Sequence, residues 1–151
     1  MNNNDVLRSL RYLLDISDAQ LAGICQLADY SLAPEAVAPL LKKDDEEGFQ
    51  PCTDEVLGHF LAGLVLHKRG RDESRPPLPV DKRLTNNIIL KKLRVAFELR
   101  DDDMHEILRA ADLPMTKAEL SALFRSPEHK NYPACGDQLL RIFLRGLTRR
   151  L

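Results

Sequence analysis

Two cysteines stand at matching positions before a predicted helix, and each is followed two residues later by an aspartate. The sequence reads "PCTDEVL" around Cys52 and "ACGDQLL" around Cys135. A helix N-terminus lowers the pKa of a nearby thiol, so this placement suits redox chemistry or metal binding. The aspartate opposes a thiolate, however, and a free cysteine commonly packs as a small apolar side chain. Cys52 and Cys135 are therefore a candidate thiol site, with core packing as the favoured alternative.

The carboxylates and histidines do not follow a known metal-ligand pattern. Asp54 and Asp137 suit the positive end of a helix dipole; a shared metal between them is the less favoured reading. The run "DDEEG" at residues 44–48 lacks the alternating ligands of an EF-hand loop, and a solvated helix end is the simpler interpretation. The four histidines do not lie at zinc-ligand spacing from a cysteine; they are His59, His67, His105 and His129. We predict no metal and no cofactor.

Basic side chains follow one face of the predicted last helix. Arg141, Arg145 and Arg149, which we call the arginine stripe, recur every four residues and so share a helix face. Such a stripe can neutralise phosphates, and a solvated face or docking to acidic residues of the chain is the alternative. The predicted contact set for a nucleic acid or an acidic partner is Lys91, Lys92, Arg94, Arg141, Arg145, Arg149 and Arg150.

A helix–turn–helix reading of the second and third predicted helices is also open, because DNA-binding proteins use that motif. The third helix of the first half begins "PEAVAP" and offers no basic or amide side chain to base edges. The corresponding helix of the second half offers only Lys117 and Arg125. This weakens the prediction of sequence-specific DNA recognition.

Charge is distributed unevenly along the chain. Residues 1–68 carry 5 basic and 11 acidic side chains, whereas residues 85–151 carry 12 basic and 9 acidic ones. No run approaches the roughly 18 apolar residues of a membrane span, and no secretory signal is recognisable, so we expect a soluble protein. Three cysteines without a CxxC pair favour free thiols and a cytoplasmic location.

The elements that position these residues come from an internal repeat. When the sequence is shifted by 83 residues, 17 of the 66 aligned pairs between residues 3–68 and 86–151 are identical without a gap. We therefore predict two helical repeats at residues 1–68 and 86–151, joined by a proline-rich, charged linker at 69–85. Cys25 has no counterpart in the second repeat and is predicted to lie in the core.

Each repeat is predicted to contain four helices, so the fold class is all-α: a tandem duplication of a four-helix unit packed as one compact helical body. Asn4 and Asn87, or their neighbours, are predicted N-caps of the first helices. The second helices begin at "SDAQ" in the first repeat and at Asp101, the predicted N-cap, in the second repeat. The third helices begin at Pro34 and at "TKAE". Gly63 and Gly146 lie inside the fourth helices, where they predict a close helix–helix approach.

Three segments of the chain resemble a known family. They are "NNNDVLRSLRYLL", "KKDDEEGFQPCTDEVLGHFLAGLVLHKRG" and "NNIILKKLRVAFEL". They are similar to the YehS-like bacterial family of unknown function, and the resemblance covers both repeats. It implies a small bacterial protein, cytoplasmic in location, built from two similar helical units. It implies no catalytic or ligand-binding residues.

The sequence therefore favours a non-catalytic interaction module that binds a protein partner or a second copy of itself. Nucleic-acid binding through the basic face of the second repeat is the alternative. An enzyme ranks third, because the motifs GxxxxGK[ST], GxGxxG, HExxH and GxSxG are all missing from the sequence.

Overall fold

The computed structural model describes residues 1–71, 74 and 79–151. Over these residues the chain forms α-helices and one short 3₁₀ helix, with no β-strand. They fall into two units, Met1–Leu84 and Thr85–Leu151. The all-α class predicted from the sequence is confirmed. In this part of the chain, no helix combines the length and apolar character that a membrane span requires.

Over the described residues, each unit contains four α-helices in the same order. In the first unit they are α1 (Asn3–Leu14), α2 (Asp18–Leu27), α3 (Val37–Leu40) and α4 (Asp54–Arg69). The 3₁₀ helix Pro34–Ala36 leads directly into α3. In the second unit they are α5 (Asn86–Ala96), α6 (Asp101–Ala110), α7 (Lys117–Ala122) and α8 (Asp137–Arg150). The predicted four-helix repeat is present in both halves.

Backbone conformation shows the duplication independently of residue identity. A left-handed residue ends the first helix of each unit, with φ of 52° at both Asp15 and Glu98. Another follows the second helix, with φ of 63° at Asp29 and 62° at Asp112. Few residues other than glycine adopt this conformation, so its recurrence at equivalent positions indicates one shared chain path.

The first helix of each unit is capped by a residue other than the predicted Asn4 or Asn87. In α1 the side chain of Asn2 accepts a hydrogen bond from the Asp5 N–H at 2.9 Å. In α5 the Thr85 hydroxyl accepts a hydrogen bond from the backbone one turn later. The prediction of capping by Asn4 and Asn87 themselves was wrong, because both are buried inside their units.

Asn4 instead ties α1 to the segment that precedes α4. Its amide nitrogen donates to the carbonyl oxygens of Leu40 at 2.9 Å and Gln50 at 2.7 Å. Its side-chain oxygen accepts the Cys52 N–H at 2.8 Å. The neighbouring Asn3 donates to the Cys52 carbonyl oxygen at 3.1 Å. We call this set of contacts the asparagine clamp.

The second unit repeats the asparagine clamp at equivalent positions. Asn87 donates to the carbonyl oxygens of Leu123 at 3.1 Å and Pro133 at 3.0 Å, and it accepts the Cys135 N–H at 2.8 Å. Asn86 donates to the Cys135 carbonyl oxygen at 3.0 Å. Buried polar groups require such partners, and an amide supplies both donors and an acceptor.

Two predicted capping boxes are present. Ser17 and Gln20 exchange side-chain and backbone hydrogen bonds at the start of α2, at 2.8 and 3.1 Å. Thr116 and Glu119 do the same at the start of α7, at 3.1 and 3.0 Å. These side chains satisfy backbone N–H groups that have no partner within the helix.

The start of α6 differs from the prediction. Asp101 is the first helical residue, and Arg100 occupies the N-cap position. The carboxylate of Asp103 accepts the Arg100 N–H at 2.8 Å. The prediction that Asp101 caps this helix was therefore wrong by one residue, although an aspartate of the first turn does the bonding.

Gly63 and Gly146 allow the second and fourth helices of each unit to approach closely, as predicted. A Cβ atom on Gly63 would overlap the carbonyl oxygen of Ile24 in α2. A Cβ atom on Gly146 would lie 2.8 Å from the carbonyl oxygen of Ile107 in α6. The core packs around this crossing, and Phe60 and Phe143 are fully buried. Glycine's cost to helix stability is thus offset by closer packing.

The two loops before the fourth helices differ in backbone conformation, and part of the predicted linker lies outside the described residues. Gly48 adopts the left-handed conformation with φ of 84°, but Asn131 at the equivalent position does not. Pro39 lies in the first turn of the short α3, where its missing N–H costs no helical hydrogen bond. The predicted linker 69–85 includes residues 72, 73 and 75–78, which lie outside the described residues. The division into 1–68, 69–85 and 86–151 stays a prediction.

Candidate functional site

The two cysteines of the predicted thiol site take part in the asparagine clamp through their backbone groups. Cys52 and Cys135 each precede the N-cap of the fourth helix, and each is 6% exposed. Their backbone N–H and C=O groups are held by the clamp asparagines, which fixes the chain where it enters α4 and α8. Cys25 is also buried, as predicted, and all three cysteines are free thiols.

Burial makes these thiols weak acids. Desolvation, with smaller contributions from Cys25 and Asp54, raises the pKa of the Cys52 thiol from 9.0 to about 12. Desolvation and the charge of Asp137 raise the pKa of the Cys135 thiol to about 11. The thiolate is the nucleophile and the metal ligand, so both thiols are almost wholly protonated at neutral pH. The thiol site stays a prediction, and this environment favours the packing alternative.

The aspartates that follow the cysteines also join the clamp. The carboxylate of Asp54 accepts a hydrogen bond from Asn3 at 2.7 Å and from the Leu84 N–H at 3.1 Å. Asp137 accepts a hydrogen bond from Asn86 at 2.7 Å, and this bond lowers the pKa of the Asp137 carboxyl group. Among the described residues, no group of three or more histidine, cysteine or acidic side chains could hold a metal ion.

Two arginines of the predicted basic contact set are paired with carboxylates. Arg94 contacts the Asp101 carboxylate at 2.6 Å and lies 4.7 Å from the centre of the Phe124 ring. Arg150 contacts the Asp103 carboxylate at 2.8 Å. These two arginines secure α5 and α8 within the second unit, so they are less available to a partner.

The arginine stripe, by contrast, is open to solvent. Arg141, Arg145 and Arg149 are all exposed on α8. Arg141 donates to the side chain of Gln138 at 2.9 Å. Arg145 and Arg149 form no ion pair or side-chain hydrogen bond within the part of the chain that the structure describes. At 1.5 Å per residue the stripe spans about 12 Å along the helix axis.

The same face of α4 is built differently. The positions equivalent to the arginine stripe are Gly58, Ala62 and Leu66, and the first two are buried. A Cβ atom on Gly58 would lie 2.6 Å from the carbonyl oxygen of Asp81 and 3.5 Å from the Val80 side chain. The first unit thus packs a segment of its own chain against the start of this helix face.

A shallow depression between α6 and α7 was not foreseen from the sequence. Its volume is about 320 Å³, and two of its polar lining groups, Thr116 and Glu119, already cap α7. His105 and Arg109 stand one helical turn apart along its other side. No repeated residue marks these positions, because Ala22 and Gln26 occupy them in the first unit.

Comparison with known proteins agrees with this duplicated architecture. The family model described as a protein of unknown function (DUF1456) matches the chain twice, at residues 3–70 and 86–151. The chain belongs to this family. It is 49% identical over 150 residues to the uncharacterized protein YehS of Escherichia coli (strain K12), covering 99% of this chain and 96% of that protein. No solved structure matches the chain. The resemblance predicted from the sequence is confirmed.

The two DUF1456 segments share contacts in their interiors and differ at one face of the fourth helix. Both keep the asparagine clamp and the glycine crossing at equivalent positions. At this face, one segment has the buried Gly58 and Ala62 where the other has the exposed Arg141 and Arg145. The shared core does not require arginines at this face, and the three arginines are exposed, so the arginine stripe is the strongest candidate site for binding.

Proposed function

We propose that this DUF1456 protein is a non-catalytic interaction module whose second unit binds an acidic protein surface through the arginine stripe. The observation that carries the proposal is the exposure of three arginines one helical turn apart, of which Arg145 and Arg149 have no carboxylate partner within the described residues. Guanidinium groups bind carboxylates through two parallel hydrogen bonds, so such a stripe suits an acidic protein.

A charge-reversed bait tests this proposal. The full-length protein and its Arg145→Glu/Arg149→Glu variant are used to capture partners from a lysate of the native host, with and without nuclease. Arg109→Glu/Lys130→Glu is the matched control, because it changes the net charge equally at two other exposed positions of the second unit. We expect a nuclease-resistant partner that binds the wild type and the control but not the stripe variant. Equal capture by all three baits contradicts the proposal.

Nucleic-acid binding is the second candidate, favoured by the axial spacing of the stripe, about 6 Å between successive arginines. Lys91 on α5 is another exposed basic side chain of the second unit. Base reading by α7 has weaker support, because Lys117 contacts Asp102 at 2.7 Å and Arg125 donates to the Asn131 carbonyl oxygen at 2.7 Å. Any such binding would therefore depend mainly on phosphate contacts.

The salt dependence of oligonucleotide binding tests this second candidate. Three phosphate contacts give a slope of about −2.7 in log K against log salt for duplex DNA. Fluorescence anisotropy with a labelled duplex would show this slope for the wild type and a smaller one for the Arg145→Glu/Arg149→Glu variant. If no binding is detected at low salt, or if the variant binds as well as the wild type, the second candidate is excluded.

We also propose a cytoplasmic location. An odd number of cysteines, all present as free buried thiols, supports a reducing compartment. Fractionation of the native host should recover the protein with cytoplasmic markers, and recovery with periplasmic or membrane markers contradicts the proposal.

A further inference from the structure

We propose that the arginine stripe binds the acidic loop of a second copy of this chain, where the acidic loop is Asp44, Asp45, Glu46 and Glu47. This inference rests on the proposed function, because it names the partner of the same site. The chain would then associate through a contact between the first unit of one copy and the second unit of another.

The acidic loop presents its charges on an ordered backbone. All four side chains are exposed between α3 and α4. The Lys42 ammonium group donates to the Glu47 carbonyl oxygen at 2.6 Å, and Glu46 accepts the Lys43 N–H at 2.9 Å. Asp44 and Asp45 form no hydrogen bond or ion pair within the described residues. Two free carboxylates therefore project from a loop that is already folded, which lowers the entropic cost of binding.

Charge complementarity identifies a second copy as the occupant. Residues 1–68 carry 5 basic and 11 acidic side chains, and residues 85–151 carry 12 basic and 9 acidic ones. The second unit has "PEHK" in place of the "DDEE" of the acidic loop, so each chain carries one acidic loop and one arginine stripe. Two copies related by a twofold axis would use both pairs, whereas a head-to-tail contact would use one pair per interface.

Exposed ion pairs are individually weak and are screened by salt, so we expect a weak, salt-sensitive association. Sedimentation velocity of the full chain at up to about 500 µM should show dimers or larger species in about 50 mM NaCl, where the Debye length exceeds 10 Å. Raising NaCl to about 500 mM should raise the dissociation constant about tenfold or more.

Reciprocal charge reversal tests the pairing directly. Asp44→Lys/Asp45→Lys and Arg145→Glu/Arg149→Glu should each raise the dissociation constant about tenfold or more, since attraction becomes repulsion. An equimolar mixture of the two variants should associate again, because each supplies the charge that the other needs. A chain with all four substitutions should also recover association. The control Arg109→Glu/Lys130→Glu should leave the dissociation constant unchanged, and circular dichroism melts confirm that each variant is folded.

Three results would overturn the inference. The wild type could remain monomeric in low salt at the highest concentration, the acidic-loop variant could associate as well as the wild type, or the mixture of variants could fail to recover. The proposed function is contradicted by a different observation, namely that the stripe variant captures partners as well as the wild type does. A monomeric chain that still captures a nuclease-resistant partner through the stripe would remove this inference and leave the proposed function standing.

Discussion

Replacing Asn4 with leucine tests whether the asparagine clamp holds the first unit together. Leucine has a similar size but cannot donate or accept a hydrogen bond. The substitution removes the bonds to the Leu40 and Gln50 carbonyl oxygens and from the Cys52 N–H. Asn4 is only 2% exposed, so water cannot easily replace the lost partner. We therefore expect a loss of stability without a change in surface charge.

The magnitude follows from the number of bonds. A neutral hydrogen bond contributes about 1 kcal/mol net, and a buried group left without its partner costs about 1–3 kcal/mol. Three such bonds give an expected loss of about 3 kcal/mol in the free energy of unfolding of the first unit, because the added apolar burial offsets part of the larger penalty. This is a large fraction of the stability of a small domain.

Urea unfolding followed by circular dichroism measures this loss, and hydrogen exchange of the Cys52 amide locates it. Gln26→Leu, at an exposed position of α2, is the control and should change stability by less than about 0.5 kcal/mol. Asn87→Leu should reproduce the effect in the second unit. A loss below about 1 kcal/mol with the Cys52 amide still protected would refute the reasoning, because the clamp would then contribute no more than an ordinary surface contact.

Three other predictions concern packing, thiol reactivity and acid stability. Gly63→Ala should destabilise the first unit by about 3 kcal/mol in urea unfolding, because the added Cβ overlaps the backbone of α2. Gly23→Ala has open space around the added Cβ and should stabilise the same unit by about 0.5–1 kcal/mol. Cys52, with a pKa of about 12 in place of 9.0, should be alkylated about a thousandfold more slowly in the native state than in urea near pH 8, as judged by peptide mass spectrometry; equal rates would contradict its burial. The hydrogen bond from the Arg100 N–H, aided by nearby arginine charges, lowers the pKa of the Asp103 carboxyl group below 3.8. The contribution of the Asp103 carboxylate to folding stability is therefore present above pH 4 and is lost as the pH falls through the folded-state pKa. The stability difference between the wild type and Asp103→Asn should therefore shrink on acidification, and a difference that grows would reverse the sign of this argument.

Helix positions were predictable because they depend on local chemistry. The capping boxes at Ser17 and Thr116 use side chains three residues apart, and the apolar spacing of each helix is visible in a single turn. The glycines at 63 and 146 were also informative, since a costly residue repeated inside a helix implies a packing reason. Each of these signals lies within one element or recurs at the repeat spacing.

The clamp asparagines were misassigned because their partners are distant in sequence. Asn4 bonds to residues 36, 46 and 48 positions away, and local capping preference does not report such contacts. One signal was available in the sequence, because two asparagines, a cysteine and an aspartate recur at the same spacing in both repeats. Capping does not require an asparagine, since Thr85 caps α5. An asparagine recurs in both repeats, although a serine or threonine hydroxyl would suffice as a helix cap. This recurrence indicates that the N–H donors of the side-chain amide are needed.

The sequence by itself determined that the chain is all-α, duplicated and a member of its family, because hydrophobic periodicity and the 83-residue repeat are properties of the residue order. Only the tertiary structure decided which polar residues are buried and which basic ones are exposed. Arg94 and Arg145 look equivalent in a list of cations, yet one contacts Asp101 and the other is exposed to solvent. Burial and pairing depend on which side chains the fold brings together, and a residue's type and its position in a helix do not specify these contacts.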